Sequence, residues 1–249
     1  MRKLYFTTGS PFARAVRIVL TEKGLPFERD ETYTTPSAEE RAKVTPTLQV
    51  PTLIDGNMRL WDSTVILAYL MATYPSPPVP DGHKPFASEY ARAEHLWADK
   101  LVHATLQTFG ISTATISQLQ WSGIRYEDNA HGTRCAIRNQ HLLDWLEGEI
   151  ASDEEGFVPG VISVQDVLLA CWCQFIERRP LRLTWKDPQR PKIEALVARL
   201  GSRPSFREEP ALWWEPGVTY ATPEEITWTA SRTIYEPGQS YLEWKETRP

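Results

Sequence analysis

The sequence is short of cysteine and methionine, three of each in 249 residues, and it has neither a long apolar run nor an excess of positive charge. Each shortage removes a class of protein. Cys135, Cys171 and Cys173 are an odd set, and Cys171 and Cys173 lie too close along a helix to face one another as disulfide partners. No second cysteine pair or histidine spacing accompanies them, so no metal site is expected. A reduced, cytoplasmic setting fits such cysteines best. A formal charge of −5 argues against a nucleic-acid partner, because phosphate binding needs a concentrated basic face. No segment is apolar for long enough to span a bilayer, so no membrane partner is expected. Met1-Arg2-Lys3-Leu4-Tyr5-Phe6 also runs into Thr7-Thr8-Gly9 too soon to form the apolar region of a signal peptide. What is present, 41% hydrophobic and 24% charged residues, is the composition of a soluble globular chain able to bury one large core or two ordinary ones.

The order of elements narrows this. Lys3 to Thr7 is short, aromatic-rich and β-prone. Gly9-Ser10-Pro11 breaks it, and Pro11 suits the first turn of a helix whose Ala13, Val16, Val19 and Leu20 share a face, with a stop at Lys23-Gly24. A second strand is expected over Pro26 to Thr32, completing a βαβ unit. Thr34 to Pro46 reads as a loop with a short helix. Val50-Pro51-Thr52-Leu53-Ile54-Asp55-Gly56 then gives a strand and a turn, Met58-Arg59-Leu60-Trp61 the return arm. Asp62 or Ser63 caps a helix that turns Ile66, Leu67, Leu70 and Tyr74 inward. The order βαβ, α, ββα is that of an α/β thioredoxin-like domain, placed at residues 1–76.

Four prolines between Tyr74 and Gly82 mark a linker, placed at 77–85. An all-α domain follows at 86–209. Tyr90, Ala93, Leu96, Trp97, Leu101 and Ala104 predict the inward face of its first long helix, and Ile137, Leu142, Leu143, Trp145 and Leu146 that of a second. Ser163 and Asp166 form a capping box with Ile162 and Val167 as its hydrophobic staple, a structural device. Ile193, Leu196, Val197 and Leu200 line a last helix ending at Gly201. Residues 210–249 are rich in tryptophan and tyrosine, unlike a disordered tail. They are expected to pack on the body, with a short helix near Pro223 to Arg232.

Gly9-Ser10-Pro11-Phe12-Ala13-Arg14, Val50-Pro51, Asp62-Ser63 and the capped helix at Ser163-Val164-Gln165-Asp166, in this order and at these separations, resemble the cytosolic glutathione transferase superfamily over roughly residues 3 to 208. The resemblance implies a thioredoxin-like domain joined to a helical one, glutathione as co-substrate, a small-molecule electrophile as the second partner, and a homodimer. It resembles the serine-type, bacterial-like members, in which Ser10 would hydrogen-bond to the glutathione sulfur and favour its thiolate. Val50, before a cis Pro51, would hold the cysteinyl unit by its backbone. Ser63 at a helix start would hold the γ-glutamyl carboxylate. Asp62 would face the γ-glutamyl amine or support the turn, although the superfamily's usual residue there, Glu or Gln, is one methylene longer. Gln49 would contact the glycyl end, with Lys43 near the same carboxylate. Tyr5, the competing activator of tyrosine-type classes, reads as a core aromatic. Arg14 and Arg17 are expected to form ion pairs or to cover apolar surface. Phe12, Trp97, His103 and Phe109 would line the electrophile site between the domains. Ser10-Pro11-Phe12-Ala13 also resembles the Cys-Pro-Phe-Ala pattern of the omega class with Ser for Cys, which removes the sulfur needed for mixed-disulfide chemistry. Related alternatives are glutathione-dependent cleavage of an ether or carbon–halogen bond, and a non-catalytic binder or scaffold that keeps the fold.

Overall fold

The computed structural model describes residues 1–7, 9–31, 38–78, 84–179 and 181–211, together with 218–221 and 226–228. Strand β1 (Arg2–Phe6) runs parallel to β2 (Phe27–Glu31) and antiparallel to β3 (Thr52–Asp55), which pairs antiparallel with β4 (Met58–Trp61). The sheet order is therefore β2-β1-β3-β4. Helix α1 (Pro11–Glu22) makes the crossover between β1 and β2, and α2 (Ala38–Ala42) lies in the expected loop. At the turn between β3 and β4, Gly56 adopts φ 58°, a left-handed conformation that costs glycine least. Helix α3 (Ser63–Thr73) follows, burying Ile66, Leu67 and Leu70 against the sheet and α1, while Tyr74 just past its end is half-buried.

The remainder is helical: α4 (Leu96–Trp121), α5 (Ala130–Glu149), α6 (Val164–Glu177), α7 (Pro191–Gly201) and α8 (Pro204–Glu208). Helix α6 is buried along nearly its whole length and packs on α1 from the other domain. Its start is the expected capping box: Ser163 Oγ accepts from the Asp166 amide, and the Asp166 carboxylate accepts from the Ser163 amide at 2.7 Å. Ile162 and Val167 are both buried beside it. Ile193, Leu196, Val197 and Leu200 of α7 are buried, as the periodicity predicts. The three cysteines are free and buried. Among the described residues no cluster of ligating side chains could hold a metal ion, and no helix is long and apolar enough to cross a membrane.

The inward face predicted for α4 is corrected. Trp97 is 74% exposed and Leu101 61%, and Ala104 is exposed as well. The face that turns inward carries Asp99, Val102, His103, Leu106, Phe109 and Thr113. Three of these are polar and reach specific partners: Asp99 accepts from Arg92, His103 Nε2 lies 2.8 Å from the Tyr90 carbonyl, and Thr113 Oγ accepts from Asn139. Hydrophobic periodicity cannot anticipate a core side built in part from polar groups with partners elsewhere in the fold. On α5, Leu143 and Leu146 are fully buried, but Ile137 and Trp145 are exposed.

Most of the aromatic stretch after 210, with its expected docking on the body, lies outside the described residues. Within it β5 (Val218–Ala221) pairs antiparallel with β6 (Ile226–Trp228). A strand thus stands where a short helix was expected, and Ile226-Thr227-Trp228 is a β-branched and aromatic run that suits a strand better.

Candidate functional site

A cavity of about 740 Å³ opens between the sheet, the start of α1 and the helices α4 and α6. Three separate stretches of the N-terminal domain converge on it. The first is the turn after β1. Ser10 is the N-cap of α1, its Oγ accepting from the Ala13 amide at 3.2 Å, with Pro11 in the first turn. The hydroxyl lines the cavity and keeps its own proton to donate. The second is the approach to β3: Leu48, Gln49, Val50 and Pro51 all line the cavity, and the Val50-Pro51 peptide is cis as the motif suggested. The third is the start of α3. Asp62 is the N-cap at φ 68°, and its carboxylate accepts from the Thr64 amide at 2.8 Å. Ser63 is the first residue of the helix and 3% exposed. It lines the cavity. Two helix N-termini, those of α1 and α3, therefore face one cavity, a setting that favours anionic groups.

Arg41 and Asp62 are the charged residues in the cavity wall among those described. Arg41, on α2, also donates to the Leu48 carbonyl at 3.3 Å, steadying the loop that carries Gln49. The sequence reading passed over it in favour of Lys43, which is not part of the wall and whose carbonyl instead accepts from Arg59. Tyr5 is also absent from the wall. It is half-buried in β1 with Lys3 Nζ 5.0 Å from its ring, and it is not a member of the core.

The second half of the cavity differs from the expected set. Phe12 is in the wall. Trp97, His103 and Phe109 are not: Trp97 faces outward, Phe109 is fully buried, and His103 stacks on Tyr90 with ring centroids 3.9 Å apart. Burial pushes the His103 imidazole below its ordinary pKa despite its Tyr90 and Asp99 neighbours. In their place α4 presents Gln107, Ile111, Ala114, Thr115 and Gln118, while α6 presents Trp172 and Phe175. The spacing of Gln107, Ile111, Ala114 and Gln118 is one helical face. Trp172 meets Phe12 edge-on at 4.8 Å and Phe175 at 5.5 Å. A Cβ on Gly110 would fall 2.5 Å from the Trp172 ring, so this glycine admits the indole against α4. The pair Trp172 and Phe175, three residues apart on a capped helix, was the available signal for this wall.

The family described as "Glutathione S-transferase, N-terminal domain" matches residues 4–78. Among curated relatives, a stringent starvation protein A homolog of Haemophilus ducreyi is 35% identical over 68 residues, 27% of this chain and 32% of that protein. The chain thus spans about a third of that relative's length. The uncharacterized GST-like protein YibF of Escherichia coli is 27% identical over 84% of this chain and 98% of its own. Among solved structures, a glutathione S-transferase from Methylobacterium radiotolerans, in complex with glutathione sulfonate, superposes with a TM-score of 0.68 at 23% identity, covering 84% of this chain and 93% of that one.

Proposed function

We propose that the protein binds glutathione and activates its thiol for attack on an electrophilic small molecule, a reading supported by the match of residues 4–78 to the glutathione S-transferase N-terminal domain family and by a fold like that of a solved glutathione S-transferase. The observation that carries this is the convergence of Ser10, Val50 and Ser63 on one cavity entered by two helix N-termini. Several solved structures of the same fold hold glutathione or an analogue, which supports glutathione as the co-substrate.

In this reading the γ-glutamyl carboxylate meets the N-terminus of α3 and the Ser63 hydroxyl, with Asp62 toward the γ-glutamyl amine. Val50 meets the cysteinyl backbone, and Gln49 and Arg41 the glycyl carboxylate. The thiol then lies at the N-terminus of α1, where Ser10 donates a hydrogen bond to it. A free thiol is mostly protonated at neutral pH, with a pKa near ~8.5. A donor hydrogen bond and the positive end of a helix favour the thiolate. Ser10 thus activates a bound nucleophile and forms no covalent bond itself.

Phe12, Trp172 and Phe175 offer ring faces and edges to an aromatic electrophile, while Gln107, Thr115 and Gln118 offer uncharged hydrogen-bonding groups. That wall suits a neutral aromatic substrate carrying polar substituents, in a conjugation or in cleavage of an aryl ether or halide. The exposed apolar side chains of Trp97 and Leu101 on α4, with Val65 of α3, suit burial against a second copy.

Calorimetric titration with glutathione, followed by conjugation of an aromatic halide, tests the reading. Binding is expected below millimolar concentration, and Ser10→Ala is expected to lower turnover by about 10²-fold while leaving binding nearly intact. Absence of binding at millimolar glutathione overturns the proposal. One observation favours a second reading, a binder without turnover: the Asp62 carboxylate is engaged by Thr64 of its own helix. Tight binding with no turnover toward any electrophile would select that reading.

A further inference from the structure

The turn that carries Ser10 is held from behind by a residue of the helical domain. Arg179 lies two residues past the end of α6 and is 1% exposed. Its Nη2 donates to the Gly9 carbonyl at 3.2 Å and its Nη1 to the Arg178 carbonyl at 3.0 Å. The guanidinium also lies 4.7 Å over the Phe175 ring. Phe175 meets Trp172, and Trp172 meets Phe12, two residues beyond Ser10. These contacts close a ring through Gly9, Arg179, Phe175, Trp172 and Phe12, and Ser10 lies in the short piece of chain between its two ends.

We propose that Arg179 is a positioning residue for Ser10: its donation to the Gly9 carbonyl sets the turn that aims the hydroxyl, and its stacking on Phe175 ties that setting to the aromatic wall of the cavity. The inference rests on the proposed role of Ser10 as thiol activator. A charged donor polarises the Gly9–Ser10 peptide and so strengthens the Ser10 N–H as a donor to the Thr7 carbonyl, 3.1 Å away. It also keeps a positive charge in a water-poor interior behind the cavity, where it favours an anion.

Other charged and titratable groups lie around this turn among the described residues. Arg41 and Asp62 are in the cavity wall. Arg14 and Arg17 of α1 bind the backbone carbonyl and the carboxylate of Glu209, the latter shared with Arg29. Arg178 adjoins Arg179 in the chain. The Cys171 thiol on α6 is pushed up by burial, which outweighs Arg14 and Arg17 beside it. Of these groups, Arg179 is the one that donates to the Gly9 carbonyl.

The test follows the thiolate absorbance of bound glutathione against pH in the full-length protein, for the native chain, Arg179→Met and Arg179→Lys. Thermal unfolding of each variant is measured in parallel. The titration midpoint is expected to rise by about one pH unit in Arg179→Met, and Arg179→Lys, which keeps charge and donor, is expected to recover at least half of the shift. Should Arg179→Met not fold, Arg179→Gln keeps a neutral donor and is expected to show a rise of about half a unit. A midpoint unchanged in the variants, or no recovery by lysine, overturns the role of Arg179 while leaving that of Ser10 standing. Failure of the native chain to bind glutathione by calorimetry is a distinct result that removes the proposed function and this inference together.

Discussion

Two helices in this molecule begin with a serine and an aspartate, and they use them differently. At the start of α6 every polar group is closed in. Asp166 is fully buried and its carboxylate accepts from the Ser163 amide at 2.7 Å and the Phe157 amide at 2.9 Å. Gly156 makes room for it, since a Cβ there would fall 2.2 Å from the carboxylate. At the start of α3 the same residue types border the cavity: Asp62 is exposed, its carboxylate accepting from the Thr64 amide, and Ser63 is part of the cavity wall. A cap whose donors and acceptors are all matched inside the protein supports folding. A helix start in a cavity wall leaves its remaining backbone donors available to a ligand.

Breaking the closed cap should have the largest effect. Asp166→Ala removes the acceptor for two buried amides, each costing roughly 1–3 kcal/mol when unmatched. A loss of about 4 kcal/mol in urea-unfolding free energy is therefore expected. A loss under 1 kcal/mol would show that water or relaxation replaces the carboxylate.

The next effect is a pH dependence. Burial raises the Asp166 carboxyl to about 6, outweighing the amides that favour its ionised form. Its ordinary value is 3.8, so between these two values the folded state binds a proton that the unfolded state has released. Stability from this group is thus full below the ordinary value and falls as pH rises to about 6, by about 3 kcal/mol at most. Asp166→Asn should flatten that slope in unfolding curves taken from pH 4 to 6. Glu209 tilts the other way. Burial would raise its carboxyl, but Arg29 and Arg17 hold it below the ordinary range, so its contribution is lost as pH falls through that lowered value.

The smallest effects belong to the open cap. Ser63→Ala should leave stability within about 0.5 kcal/mol and weaken glutathione binding about tenfold, by titration calorimetry. Asp62→Ala should cost about 1 kcal/mol of stability as a lost cap. If Ser63→Ala instead destabilises as Asp166→Ala does, the contrast between the two caps fails.

The contrast also separates what could be read from residues alone. The thioredoxin-like order, the α6 capping box, Ser10 at a helix start and the Val50-Pro51 approach rest on local chemistry, and the structure has them in place. The inward side of α4 was misread because its buried positions are Asp99, His103 and Thr113, whose partners are set by tertiary contacts, while Trp97 and Leu101 face out. Arg14 and Arg17 were expected to find ion pairs or cover apolar surface. Their partner Glu209 stands 195 and 192 residues further along the chain, beyond any local pattern. Trp172, Phe175 and Arg41 escaped for the same reason: each reaches the cavity by packing and not by adjacency in sequence.

Glu209 also bears on how the chain can be divided. The proline-rich stretch after Tyr74 suggests a place to separate an N-terminal module from a C-terminal one. In space the separation runs elsewhere, because α1 is grasped by the far end of the chain: Arg203 and Ser205 hold Glu22, and Glu209 holds Arg14, Arg17 and Arg29. A module excised at the prolines would leave the buried Arg17 without its carboxylate and the buried Arg14 without the Glu209 carbonyl. A chimera that exchanges helical domains keeps the thioredoxin-like half intact only if the incoming partner brings matches for Glu209 and Arg203.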